Sequence, residues 1–250
     1  MKYYGITDKG LLRKNNQDSY VIATNEADDV FAIVADGIGG NLGGDIASRL
    51  CVSHFSKAFS EVSSFKDEYE VNEWIKEHVT RANEIIFNYG VDHPKLKGMG
   101  TTLCGAMMTK FGVFVVNVGD SRCYGWTKTS QIKQLTVDHT LVNDMISHGE
   151  LTMEEAENYP KKNVLTNAMG VWETVNADID IHHENLAGLL LCSDGLHGYV
   201  SEDYISEIVK NNEMDPTLRS RKLLKAALDA GGYDNITIIL IELEGDDIHD

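Results

Sequence analysis

Residues 101–135, TTLCGAMMTKFGVFVVNVGDSRCYGWTKTSQIKQL, read as four successive strands: Thr101–Thr109, Val113–Val118, Ser121–Trp126 and Ile132–Leu135. Apolar runs this short, broken by Gly and polar turns, favour strands over helices. They follow one another at hairpin spacing, which predicts antiparallel pairing. Further strands are expected at Tyr3–Ile6, Tyr20–Ala23, Val30–Ala35, Asn176–His182, Leu189–Ser193 and Asn235–Leu243. Between them, Ile46, Ala47, Leu50, Cys51, Phe55, Ala58 and Phe59 recur at helical spacing, and Trp74, Ile75, Val79, Ala82, Ile85, Ile86 and Tyr89 do the same. Asp138–His148 also reads as helical. Thr152-Met153-Glu154-Glu155 has the form of a capping box, Ser201 of a cap, and Asp215-Pro216 of an N-cap with Pro at N1. Helices come in pairs and strands in hairpins. The expected fold is therefore α+β: a four-layer α-β-β-α sandwich of two antiparallel sheets flanked by helix pairs.

The 250 residues contain no Pro/Ser/Gly-rich linker and no internal repeat, so one domain over 1–245 with a charged tail at 246–250 is expected. Acidic residues outnumber basic ones 39 to 22, a formal charge of -17. That disfavours nucleic acid and anionic membrane surfaces as partners. The four cysteines form no CxxC pair, and buried free thiols are expected. The start, MKYYGITDKG, has no apolar signal region, and no stretch nears the ~20 apolar residues of a membrane span. A cytoplasmic protein is expected, and a monomer.

Three apolar runs end in an aspartate: FAIVADG at Asp36, VFVVNVGDS at Asp120 and LLLCSDG at Asp194. A fourth aspartate, Asp234, opens NITIIL. Each alone could be an ordinary strand-end turn or cap. Together they would place carboxylates at strand tips, where like charge and burial raise pKa values unless a cation intervenes. Among the four runs only Arg122 is basic, and none carries histidine, so a hard metal ion with oxygen ligands, Mg²⁺ or Mn²⁺, is the economical partner. Gly37 leaves its carbonyl open to close approach. In RKNNQD, Arg13 could offer a planar fork to a phosphate and Asp18 could hold metal-bound water, although alone the stretch reads as a solvated loop. His197 is a weak candidate for proton transfer. His139 reads as a structural partner oriented by Asp138.

RKNNQD, VADGIGGNLGG, GTTL (Gly100–Leu103), NVGDSR (Asn117–Arg122), LTVDH (Leu135–His139), NVLTNAMG (Asn163–Gly170), LCSDGL and DNIT occur in one order. That ordered set resembles the metal-dependent serine/threonine protein phosphatases of the 2C type, in their bacterial form. The resemblance spans Tyr4 to about Leu243. It implies that Asp36 bridges two core Mn²⁺ or Mg²⁺ ions, that the Gly37 carbonyl binds one of them, and that Asp194 and Asp234 complete the ligand set of the second ion. Asp120, with Asp194, would hold a weaker third ion. Asp18 would bond the metal waters, Arg13 would grip the substrate phosphate, and about 140–162 would form a flap.

The implied activity is hydrolysis of phosphoserine and phosphothreonine in proteins by a metal-bridging hydroxide, without a phosphoenzyme. Two divalent ions about 4 Å apart make such a nucleophile available near neutrality. The implied substrates are phosphorylated proteins, targets of a bacterial serine/threonine kinase. The alternative is a catalytically silent phosphoprotein-binding module on the same fold. The chain departs from frequent family residues at Ile38, where eukaryotic members have His, at Gln17 for Glu, at Tyr159-Pro160-Lys161-Lys162 for His-Pro-Arg, and at Asn167 for Arg.

Overall fold

A computed structural model describes residues 1–38, 43–157 and 159–243. The tail expected over 246–250 and the centre of the glycine-rich turn, 39–42, lie outside the described residues. In chain order the strands are β1 (Lys2–Asp8), β2 (Ser19–Thr24), β3 (Val30–Ala35), β4 (Gly37–Ile38), β5 (Gly100–Thr101), β6 (Leu103–Thr109), β7 (Gly112–Val118), β8 (Arg122–Trp126), β9 (Lys133–Gln134), β10 (Asp178–His182), β11 (Gly188–Cys192) and β12 (Ile236–Glu242). The helices are α1 (Gly44–Ser60), α2 (Glu68–Asp92), α3 (Leu141–Ser147), α4 (Met153–Glu157), α5 (Asp194–His197), α6 (Glu202–Val209) and α7 (Pro216–Asp229).

Two five-stranded antiparallel sheets form, in the orders β1-β12-β11-β8-β9 and β10-β7-β6-β3-β2. The unbroken apolar runs follow from burial on both faces, with side chains alternating between two cores. In β3, Phe31, Ile33 and Ala35 face α1 and α2, whereas Val30, Ala32 and Val34 face the other sheet. In β12, Ile239 and Ile241 point between the sheets, whereas Ile236, Ile238 and Leu240 point to the α6–α7 side. Three cores thus separate four layers, as expected from the sequence. Asp67 caps α2, Ser201 caps α6 and Asp215 caps α7. Thr152 and Glu155 exchange the reciprocal bonds of a capping box at α4.

Two expectations change. β6 pairs with β7 and β8 with β9, but β7 and β8 do not pair: the chain crosses from one sheet to the other at Gly119-Asp120-Ser121. Gly119 takes φ 105, a left-handed conformation that glycine adopts without a Cβ penalty. Its N–H and carbonyl are bonded to His139 rather than to a hairpin partner. The helix expected from Asp138 begins only at Leu141, because Asp138 and His139 are held in other contacts.

Candidate metal centre

The ends of β3, β7, β11 and the start of β12 meet at one end of the sandwich. Arg13, Asp36, Gly37, Asp120, Asp194 and Asp234 line a single cleft there, of about 230 Å³. Asp36 follows the last residue of β3, and its backbone is clamped by the GTTL stretch. Its N–H donates to Thr102 Oγ1 (2.9 Å), and its carbonyl accepts from Thr102 N (2.8 Å) and Thr101 Oγ1 (2.9 Å). Thr102 Oγ1 lies 2.8 Å from Ser121 Oγ, which ties this strand tip to the loop bearing Asp120. At Gly37 a Cβ would stand 2.2 Å from the Gly44 carbonyl oxygen, so the approach of α1 to β4 leaves no room for a side chain.

Asp194 is the first residue of α5, with Ser193 at its N-cap. Asp18 lies behind the cleft rather than on its wall and is 7% exposed. Its Oδ2 accepts from Ser193 Oγ (2.8 Å) and Thr237 Oγ1 (2.7 Å). Arg13, half exposed, donates to Asp234 at 2.6 Å. Asn235 staples the segment carrying Arg13 to β12: its Oδ1 accepts from Gln17 N, and its Nδ2 donates to the Lys9 and Asn15 carbonyls.

The electrostatics are those of crowded, dehydrated carboxylates. Burial, then the charges of Asp18, Asp194, Asp120 and Asp234, hold Asp36 well above the usual carboxylate range. Burial raises Asp18 to about 7, against the pull of its two hydroxyl partners, and the charges of Asp194 and Asp234 add to the rise. Burial, with the charges of Asp194 and Asp138, raises Asp120 to about 7. Burial and the Asp234 charge raise Asp194 to about 6. Asp194 Oδ1 and Asp18 Oδ1 are buried without a hydrogen-bond partner.

Orphaned carboxylate oxygens in an all-oxygen, strongly acidic setting fit a hard divalent cation. Asp36, Asp120, Asp194 and Asp234 could supply carboxylates to it, and Gly37 a carbonyl. As the side chains stand, no group of three or more His, Cys, Asp or Glu among the described residues is placed to hold a metal ion. The cluster is open, and Asp234 is engaged by Arg13.

The histidines take other work. His197 Nε2 donates to the Asp120 carbonyl (3.0 Å), and burial, then the Arg122 charge, lowers its pKa to about 4. Neutral and committed in this way, it is a poor proton donor. His139 pairs with Asp178 (3.0 Å), not with Asp138. Asp138 instead takes a forked ion pair from Arg122, with bonds of 2.7–3.0 Å. Sequence reasoning left Thr102, Ser121, Ser193, Thr237 and Asn235 without roles. The available signal was a hydroxyl or amide set within otherwise apolar runs, as in LLLCSDG and NITIIL.

The sequence profile of the family described as "Protein phosphatase 2C" matches residues 13–229. The serine/threonine phosphatase stp of Listeria welshimeri is 37% identical over 237 residues, 94% of this chain and 93% of the relative. Protein phosphatase PhpP of Streptococcus pneumoniae is 35% identical over 243 residues, 97% of each chain. Among solved structures, the serine/threonine phosphatase Stp1 from Staphylococcus aureus superposes with a TM-score of 0.91 at 31% identity, covering 98% of this chain and 95% of that one. The Mycobacterium tuberculosis phosphatase PstP/Ppp gives 0.83 at 28%, covering 97% and 98%.

Proposed function

The chain belongs to the protein phosphatase 2C family, in its bacterial form, and we propose from that premise that phosphoserine and phosphothreonine side chains are hydrolysed where Asp36, Asp120, Asp194 and Asp234 converge. The protein is a metal-dependent serine/threonine protein phosphatase whose substrates are phosphoproteins. The observation that carries the choice of site is the meeting of four carboxylates in one cleft with the Asp194 Oδ1 atom buried and unpartnered. We assign Asp36, the Gly37 carbonyl, Asp194 and Asp234 to two core Mn²⁺ or Mg²⁺ ions, and Asp120 with Asp194 to a weaker third. Divalent cations, when bound, supply Lewis acidity and make water nucleophilic near neutral pH.

The chain's own residues supply position and charge. The clamp from Thr101 and Thr102 fixes Asp36 so that its carboxylate needs no reorganisation. Asp18, oriented by Ser193 and Thr237, offers its free Oδ1 to water at the back of the cleft. Arg13 stands at the mouth with donors for phosphoryl oxygens, and binding of substrate would exchange its bond to Asp234 for bonds to phosphate. Leaving-group protonation falls to water, because position 38 is Ile and His197 is committed to the Asp120 carbonyl.

We further propose a single catalytic domain that works as a monomer on targets of a bacterial serine/threonine kinase in the cytoplasm. Four free, buried cysteines accord with a reducing compartment, and among the described residues no helix is long and apolar enough to cross a membrane. The test is hydrolysis of a phosphothreonine peptide by the purified protein with EDTA, Mg²⁺ and Mn²⁺ in parallel. Turnover is expected with either metal and none with EDTA. A folded protein without turnover in any metal would overturn the reading.

A further inference from the structure

The cleft that gathers the aspartates does not end at them. It shares Asp120, Asn163 and Asp194 with a second depression of about 490 Å³, walled by the α3–α4 flap. That depression shares Tyr199 with a third, an open groove of about 590 Å³ along α6 and α7. Common wall residues thus link the three depressions from the carboxylates to the groove along α6 and α7. A phosphate group fills only the first; linked depressions of this extent suit an extended polypeptide.

The groove is lined in a way the fold does not require. Tyr199 and Tyr204 are 42% and 39% exposed on its wall. Tyr199 is steadied by stacking on Tyr233, with ring centroids 5.4 Å apart and planes at 30°. Exposed rings with few rotatable bonds bind apolar side chains at little entropic cost. Tyr233 directly precedes Asp234, the partner of Arg13, so the stack begins where the phosphate site ends. Charge points the same way. On a chain of formal charge -17, Lys225 is paired with Asp229, whereas Lys222 makes no ion pair among the described residues. The groove therefore offers two rings and one uncompensated cation.

We propose that the α6–α7 groove binds the segment flanking the phosphorylated residue of a protein substrate, selecting an apolar side chain that lies on Tyr199 and Tyr204 and a carboxylate that meets Lys222. The inference rests on the phosphatase reading and adds to it a preference for sequence around the phosphate. The aromatic contact dominates, since an exposed ion pair contributes little.

The test uses the intact protein with Mn²⁺ and two kinds of substrate. One is p-nitrophenyl phosphate, which cannot reach the groove. The other is a set of phosphothreonine peptides carrying Leu and Asp on the N-terminal flank, on the C-terminal flank or on neither, with Ser elsewhere. One flanked peptide is expected to exceed the Ser peptide roughly tenfold in kcat/KM, through KM. Tyr204→Ala and Lys222→Glu, both at exposed positions, should each remove part of that gain, and together most of it. Turnover of p-nitrophenyl phosphate should stay within about twofold. Equal turnover of all peptides, or a preference that survives both substitutions, overturns the groove while p-nitrophenyl phosphate turnover upholds the phosphatase. Absence of turnover on every substrate overturns both.

Discussion

At the scale of single residues, the site is an exercise in holding negative charge where it is least comfortable. Asp36 is the extreme case: its backbone is locked by Thr101 and Thr102 while its carboxylate faces Asp194, Asp120 and Asp234. Asp36→Asn is expected to lower kcat on a phosphothreonine peptide by on the order of 10²-fold or more, with the fold retained. Thr102→Val, which leaves every carboxylate in place but frees the Asp36 N–H, should cost about 10–100-fold. Steady-state kinetics in Mn²⁺ alongside circular dichroism would check both: full activity of Asp36→Asn would refute the site, and full activity of Thr102→Val would refute the clamp as a positioning device. The aspartates were legible in the sequence because each stands at the boundary of an apolar run. The hydroxyls that orient them were not, since Thr102, Ser193 and Thr237 act across the fold, on partners remote in sequence.

At the scale of elements, strand and helix positions were readable from periodicity, and the caps at Ser201, Asp215 and Thr152 from their own chemistry. The exchange of sheets at Gly119 was not. Hairpin spacing describes β6–β7 and β8–β9 correctly and β7–β8 wrongly, because three residues can turn a chain within a sheet or carry it to another. What decides is the bonding of Gly119 to His139, a pairing with no local sequence signature. The crossing has a functional consequence, since it delivers Asp120 to the seam between the sheets. The segment before β2 depends in the same way on a remote partner. Asn235 makes three bonds to it, and Asn235→Ala should destabilise the protein by about 1–3 kcal/mol and raise KM for phosphopeptides as Arg13 loses its anchorage. Urea denaturation with parallel kinetics would measure both, and an unchanged KM would show that the segment is held by other means.

At the scale of the whole molecule, three cores bury strands on both faces, and the stability they provide tolerates a cluster that opposes folding. The opposition has a definite pH dependence. Asp194, Asp18 and Asp120 are raised to about 6, 7 and 7, so between pH ~4 and ~7 the folded state holds more protons than the unfolded chain. Stability of the metal-free protein is therefore greatest on the acid side of that window and falls as pH rises through it. In EDTA the melting temperature at pH 8 should lie below that at pH 5.5 by on the order of 5–10 °C, and Mn²⁺ at pH 8 should recover the difference by binding only the folded state. Differential scanning calorimetry would decide it, and a metal-free protein as stable at pH 8 as at pH 5.5 would contradict the crowding of these carboxylates.

The pairing of β1 with β12 also orders events in time. β1 forms its sheet with β12, made more than 200 residues later, Lys2 opposite Glu242, and β12 is the strand that joins β1 to β11. A nascent chain can assemble the sheet of β2, β3, β6 and β7 while translation continues, but β1 must wait for β12. Asp234 and Asn235 arrive with the same late strand. A chain interrupted before them would lack the last carboxylate, the staple on Arg13 and the strand joining β1 to β11 together, so catalytic competence is withheld until β12 has been made.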